Sequence, residues 1–205
     1  MTAARTLGVV LFTDFELLDV FGPLEVFGHA KDFFRIVTVA EQPGPVASTQ
    51  GPRAVADHGL DDCPPLDVLL VPGGMGTRRE VDNARLIDWL AARARSAELV
   101  TSVCTGAALL ARAGVLDGRR ATSNKRAFQW VTAQGPAVTW VRQARWVDDG
   151  NVVTSSGVSA GIDMALYVVE RLAGAEVREQ LAVRMEYEWR ADASHDPFAR
   201  MWGLA

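Results

Sequence analysis

Short runs of consecutive apolar residues alternate along this chain with longer stretches in which apolar residues return every three or four positions. Leu7 to Phe12 is a continuous apolar run, the pattern of a strand buried on both faces. Glu16 to Phe27 then places Leu17, Val20, Phe21, Leu24 and Phe27 at helical spacing. Pro23 is expected to kink or restart that helix because it has no N–H to donate, and Gly28 to end it. Phe33 to Ala40 reads as a second strand, and the Gly- and Pro-rich stretch that follows as a surface loop or small hairpin.

The alternation continues downstream. Asp67 to Val71 is a short buried strand, Pro72-Gly73-Gly74 a turn, and Asn83 a cap for a helix carrying Leu86, Trp89, Leu90 and Ala94. Leu99 to Val103 is the next strand, Thr105 to Ala113 the next helix with Gly114 as its stop, and Lys125 to Ala133 another helical segment. Residues 137–141, 145–147 and 151–155 are strand-like, with Asp148-Asp149-Gly150-Asn151 supplying hairpin turn chemistry. Ile162, Ala165, Val169 and Leu172 define an amphipathic helix ended by Gly174, and Ala175 to Trp189 a second. Neither a repeat nor a linker interrupts the pattern, so residues 1–205 are read as one domain.

Strands alternating with helices predict an α/β fold, a mostly parallel sheet with helices on both faces, whose functional residues gather at the carboxyl ends of the strands. Three places qualify: Asp14 to Asp19, Gly73-Gly74, and Cys104.

Composition narrows the function classes. With 49% hydrophobic and 22% charged residues the chain lies outside the disordered regime. Lys and Arg total 21 against 25 Asp and Glu, a net charge of −4, and no basic run could track a phosphate backbone, so nucleic acid is not an expected partner. No apolar stretch is long enough for a bilayer, and the amino-terminal segment lacks a cleavage signature, which predicts a cytoplasmic protein without membrane association. The two cysteines, Cys63 and Cys104, are expected to be reduced thiols.

In Thr101-Ser102-Val103-Cys104-Thr105-Gly106-Ala107 a strand passes into a helix through one cysteine flanked by small residues, the layout of a nucleophile elbow. A helix N-terminus there is expected to lower the Cys104 pKa and favour a thiolate. Cys63, in a loop-like DDCPP setting, has no such support. Gly73 and Gly74 could aim backbone N–H groups at a developing oxyanion. The three histidines, His29, His58 and His195, are all remote from Cys104 in sequence, so the acid–base partner is sought among carboxylates. Asp19, set between Leu18 and Val20 in an apolar stripe, is the one expected to be desolvated with a raised pKa. No metal-ligand spacing and no phosphate-binding glycine motif is present, so no metal and no cofactor is implied, and the tryptophans are read as packing residues.

These residues together resemble the DJ-1/PfpI superfamily over nearly the whole chain, through FTDFELLDVFGPLEVF (Phe12 to Phe27), DVLLVPGG (Asp67 to Gly74), TSVCTGA (Thr101 to Ala107) and SAGIDMAL (Ser159 to Leu166). The resemblance implies a flavodoxin-like sandwich, a homodimer, and a catalytic cysteine at the elbow. Thr105 follows Cys104 where many protease-like and glyoxalase-type members carry His, and the C-T-G, L-D-x-x-G-P and A-G-I-D segments are similar to the isocyanide (isonitrile) hydratase branch. There the carboxylate matching Asp19 and the threonine matching Thr105 accompany the cysteine. One departure is visible: the A-T-T-H-W pattern of hydratase-like and regulator-like members reads here Ala121-Thr122-Ser123-Asn124-Lys125.

The resemblance therefore implies cofactor-free hydration of a small-molecule isocyanide to an N-formamide by Cys104, Asp19 and Thr105. Its competitors are a glyoxalase- or deglycase-like activity and a non-enzymatic cysteine redox sensor. The sensor half of helix-turn-helix regulators shares the fold, but 205 residues leave no room for the appended domain, so a regulator is not expected.

Overall fold

The computed structural model describes residues 3–205. β1 (Arg5–Val10) starts and stops two residues before its apolar run. Leu11 and Phe12 stay buried beyond the strand, and Leu11 N still donates to Val39 O at 2.7 Å. α1 (Leu17–His29) runs through Pro23 and past Gly28 without a break. The carbonyl that Pro23 leaves without a helical donor is that of Asp19, at the first turn, where a missing bond disturbs little.

β2 (Phe34–Val39) is followed by the expected hairpin, β3 (Gly44–Ala47) and β4 (Arg53–Ala56). β5 (Val68–Val71) leads through the glycine turn into α2 (Thr77–Glu80), a single turn that the hydrophobic pattern does not announce. α3 (Ala84–Ser96) is capped as expected: Asn83 Oδ1 accepts from Leu86 N at 3.3 Å. β6 (Leu99–Ser102) and α4 (Gly106–Arg112) flank Cys104.

Beyond α4 the chain departs further from its sequence pattern. β7 (Arg120–Ala121), α5 (Phe128–Thr132) and β8 (Thr139–Trp140) are short, and β7 pairs with β8 outside the main sheet. β9 (Trp146–Asp149) and β10 (Val152–Ser155) form an antiparallel hairpin around Gly150, whose φ of 74° suits glycine. α6 (Ala160–Ala173) and α7 (Ala175–Arg184) follow, then α8 (Phe198–Met201). The helix expected to reach Trp189 ends at Arg184, because Tyr187, Trp189 and Arg190 are pulled out of helical register by bonds to Asp163.

The main sheet has the order β2-β1-β5-β6-β10-β9, parallel throughout except for β9 at the edge. Its parallel strands, taken in chain order, lie 2-1-3-4-5, the flavodoxin-like arrangement. Every residue of β5, β6 and β10 is buried, and of the three only β5 is apolar throughout. Fully burying each Leu or Val there contributes roughly 1.5–3 kcal/mol. α1 packs on α6 and α3 on α4. Gly22 permits the α1–α6 approach, since a Cβ there would stand 2.9 Å from Ile162 Cγ1, and Gly161 lets α6 approach the end of β6, where a Cβ would meet Val103 at 2.9 Å. No helix among the described residues is long and apolar enough to cross a membrane.

Candidate active site

The carboxyl ends of β1, β5, β6 and β10 converge on Cys104. Its φ of 58° is left-handed, a conformation that costs a side-chain-bearing residue on the order of 1–3 kcal/mol and is kept only where the surroundings enforce it. They do so here. Cys104 N donates to Ser156 O at 3.2 Å across the top of the sheet. Gly106 lies so close beneath that a Cβ would stand 2.2 Å from Val71 O. Strand, cysteine and helix thus form the elbow read from the sequence, with the residue only 6% exposed.

Asp19 comes to this point from the first turn of α1 and is fully buried. Its Oδ2 accepts from Gly73 N at 2.9 Å. Oδ1 makes no formed hydrogen bond within the protein, and the Cys104 thiol faces the carboxyl group. Burial pushes the Asp19 carboxyl well above the usual range; the Gly73 N–H opposes this and the nearby Glu16 charge reinforces it.

The Cys104 thiol is also pushed well upward, first by burial and then by Asp19, with the Thr105 N–H opposing. The expected lowering of its pKa is therefore reversed. α4 has only seven residues, and its amino terminus supplies less than burial and a facing carboxylate remove. The pair is built to hold protons.

Gly73 and Gly74 occupy the predicted place but not the predicted role. Gly73 N is committed to Asp19 and Gly74 N donates to Thr105 Oγ1 at 3.1 Å, so neither N–H is free to meet an oxyanion. They position the site instead. A Cβ on Gly73 would stand 2.5 Å from Thr105 N and 2.9 Å from Asp19 Oδ2, so only glycine lets the three segments meet. The Thr105 hydroxyl also lies 3.1 Å from Thr77 Oγ1, which itself donates to Gly74 O at 2.7 Å. This network fixes the Thr105 side chain while its N–H is directed at the sulfur.

The thiol opens onto a cleft of about 640 Å3. Arg78, from α2, and Trp130, from α5, line it, with the guanidinium stacked 4.3 Å over the indole. Arg126, Glu16 and Asn124 also contribute. Trp130 is thus a cleft residue as well as a packing one. Neither it nor Arg78 belongs to a sequence motif; the only signal was position, each following a strand-end turn. Gly157 was also missed: a Cβ there would stand 2.1 Å from Asn124 Nδ2 and 3.2 Å from Cys104 Sγ.

The Asn124-Lys125 departure is resolved locally. Asn124 Oδ1 accepts from Ala127 N at 2.9 Å, starting the turn into α5. Lys125 is buried away from the thiol, its Nζ donating to Thr122 Oγ1, Ser123 O and Ala144 O at 2.8, 3.3 and 2.7 Å, and burial lowers its pKa to about 8. The other carboxylates of the first segment have partners elsewhere: Asp14 with Arg79, and Glu25 with His29. Among the described residues no group of three or more His, Cys, Asp and Glu side chains could hold a metal.

The same arrangement can be compared with known proteins. The description of the DJ-1/PfpI family matches residues 5–171. The chain belongs to the DJ-1/PfpI family. Among its relatives is the isonitrile hydratase of Pseudomonas putida, 34% identical over 90% of this chain and 79% of that protein. Another is the HTH-type transcriptional regulator GbdR of Pseudomonas aeruginosa, 29% identical over 90% of this chain; the chain spans only about half, 51%, of that regulator's length. Among solved structures, a ThiJ/PfpI family protein from Pseudomonas syringae superposes with a TM-score of 0.85 at 29% identity, over 98% of this chain and 85% of that one. Drosophila melanogaster DJ-1beta, at 22% identity and a TM-score of 0.79 over 91% of this chain and 100% of that one, shares the α/β fold. DJ-1/PfpI relatives thus include both a named enzyme and regulators.

Proposed function

We propose that this DJ-1/PfpI protein is a cofactor-independent hydro-lyase that converts an isocyanide to an N-formamide through a thioimidate on Cys104. The observation that carries the reading is the buried Asp19 carboxyl facing the Cys104 thiol at the elbow, two groups that each favour the protonated form. An isocyanide carbon accepts both a proton and a nucleophile, so an acid and a thiol facing one another match its chemistry. The similarity to isonitrile hydratase agrees with this assignment.

Asp19 gives its proton to the terminal carbon and Cys104 sulfur bonds to the same carbon. The thiol proton passes to the carboxylate just vacated, leaving Cys–S–CH=N–R and a protonated Asp19. Water then adds to that carbon, one of its protons going to nitrogen. The C–S bond breaks, the remaining hydroxyl proton returns through Asp19 to sulfur, and the N-formamide leaves. Thr105 fixes the sulfur through its N–H. Gly73 and Gly74 act through Asp19 and Thr105.

Turnover of para-nitrophenyl isocyanide against methylglyoxal tests the reading. Formamide production that is lost in Cys104→Ala supports it. Turnover of methylglyoxal alone would favour the glyoxalase-like alternative, and turnover of neither the redox-sensor one. The homodimer implied by the family resemblance would place a second copy over Leu18, Phe198 and Trp202, which lie together on the surface; sedimentation of Phe198→Asp as a monomer would support that arrangement.

A further inference from the structure

The cleft in front of Cys104 is basic. Arg78 is half-buried, and its contacts are modest: Nη1 lies 3.3 Å from Gly74 O and 3.3 Å from Thr77 Oγ1. No carboxylate pairs with it among the described residues, although arginines nearby in sequence and space find theirs, as Arg79 does with Asp14 and Glu80. Arg126, also lining the cleft, has no carboxylate partner among the described residues either. The single carboxylate of the lining, Glu16, is engaged by Gln50, whose Nε2 donates to Oε1 at 2.5 Å.

A partly desolvated guanidinium without a counter-charge is an unmet demand for an anion. The Trp130 stack holds the guanidinium plane in place, so the fork is preorganised and little side-chain entropy is lost when a carboxylate docks. Burial lowers the Arg78 pKa somewhat, as expected for a cation short of partners. Asp19 adds no opposing charge while protonated, so the negative charge that a carboxylate ligand meets near the thiol is that of Glu16, against the two guanidinium groups of Arg78 and Arg126.

We propose that the cleft selects isocyanides carrying a carboxylate, with Arg78 as the residue that binds the carboxylate while the isocyano carbon lies at Cys104. This rests on the hydratase reading for the reacting group, but the anion preference is a property of the cleft itself. Guanidinium and sulfur line the same cavity, and a small α-isocyano acid is the simplest compound that carries a group for each.

Isocyanoacetate and its methyl ester differ in charge and little else, and form the deciding pair. The wild type is expected to favour isocyanoacetate in kcat/KM by roughly tenfold or more, the scale of one charge-assisted pair. Arg78→Gln, shown to be folded by circular dichroism, is expected to reduce that preference at least fivefold, the loss appearing mainly in KM. Equal rates for the two compounds, or a preference unchanged in Arg78→Gln, would overturn the proposal. If neither compound turns over while para-nitrophenyl isocyanide does, the substrate proposal is overturned; if no isocyanide turns over, the hydratase reading fails, and the anion preference is read separately from Cys104 alkylation at pH 9. An iodoacetate-to-iodoacetamide rate ratio above that of glutathione, falling in Arg78→Gln, supports the basic cleft; a ratio equal to that of glutathione, or unmoved by the substitution, refutes it.

Discussion

Asp19 on α1 and Cys104 at the β6–α4 elbow face each other, and burial holds each toward its protonated form while Asp19 further raises the cost of ionising the thiol. Neither a free thiolate nor a free carboxylate is the resting state this geometry favours. The chemistry it suits begins with proton delivery and ends with proton return.

Asp19→Asn keeps the Gly73 N–H bond but removes the exchangeable proton. A loss in kcat on the order of a hundredfold or more is expected, with KM changed much less. An effect confined to KM would assign Asp19 to binding alone.

The same variant has a signature in stability. Folding raises the Asp19 pKa above 3.8, so the native state holds this proton more tightly than the unfolded chain. That advantage is fully present below 3.8 and is lost as pH rises through the raised folded value. Asp19→Asn is therefore expected to gain stability relative to wild type as pH increases from 4 toward 8. Melting curves across that range check it; a constant Tm difference would contradict the raised pKa.

The alkylation profile of Cys104 follows from its environment. Its labelling by iodoacetamide should rise with a midpoint above the ordinary thiol value, and the midpoint should fall in Asp19→Asn, where the facing carboxylate is gone. Mass-spectrometric mapping of Cys104 against pH makes the comparison, and a midpoint that does not move would remove the pairing.

Gly73→Ala inserts a methyl group against the Thr105 backbone and the Asp19 carboxyl together. Overpacking of this kind costs roughly 1–3 kcal/mol, and displacing Asp19 should also abolish turnover. Wild-type activity in this variant would mean the approach is looser than it looks.

Asp163 offers the converse experiment. It is fully buried and paired with Arg145 at 2.5 Å, and its Oδ1 accepts from Tyr187 OH and Arg190 N. Asp163→Ala leaves the Arg145 charge buried alone, and a loss of about 3–5 kcal/mol is expected. Chemical denaturation measures it, and a loss under 1 kcal/mol would show the pair to be dispensable.

Much of this architecture was legible along the chain because its signals are local. β5 announces itself as a buried apolar run, β10 as a strand-like segment after a hairpin turn at Gly150, Asn83 as a cap, and Cys104 as an elbow by its small neighbours. Asp19 stood out because a carboxylate in an apolar stripe is costly unless its setting is special. What escaped was set by partners distant in sequence. The N–H groups of Gly73 and Gly74 look free until α1 and α4 bring Asp19 and Thr105 to them. The direction of the Cys104 pKa depends on burial, which no seven-residue helix reveals. Pro23 reads as a break because the pattern does not show that the carbonyl it strands lies in the first turn. Arg78 and Trp130 gain meaning only from being stacked.

The Arg145–Asp163 pair also constrains how this sequence can drift. Either residue alone is a buried, uncompensated charge, so a chain that changes one must pass through a weakened intermediate before it can change the other. Exchange of the pair for two apolar residues, made together, escapes that intermediate, although it must also find new partners for Tyr187 and Arg190. Positions 145 and 163 are therefore expected to vary in concert across descendants of this chain, with the stretch from Tyr187 to Arg190 following them.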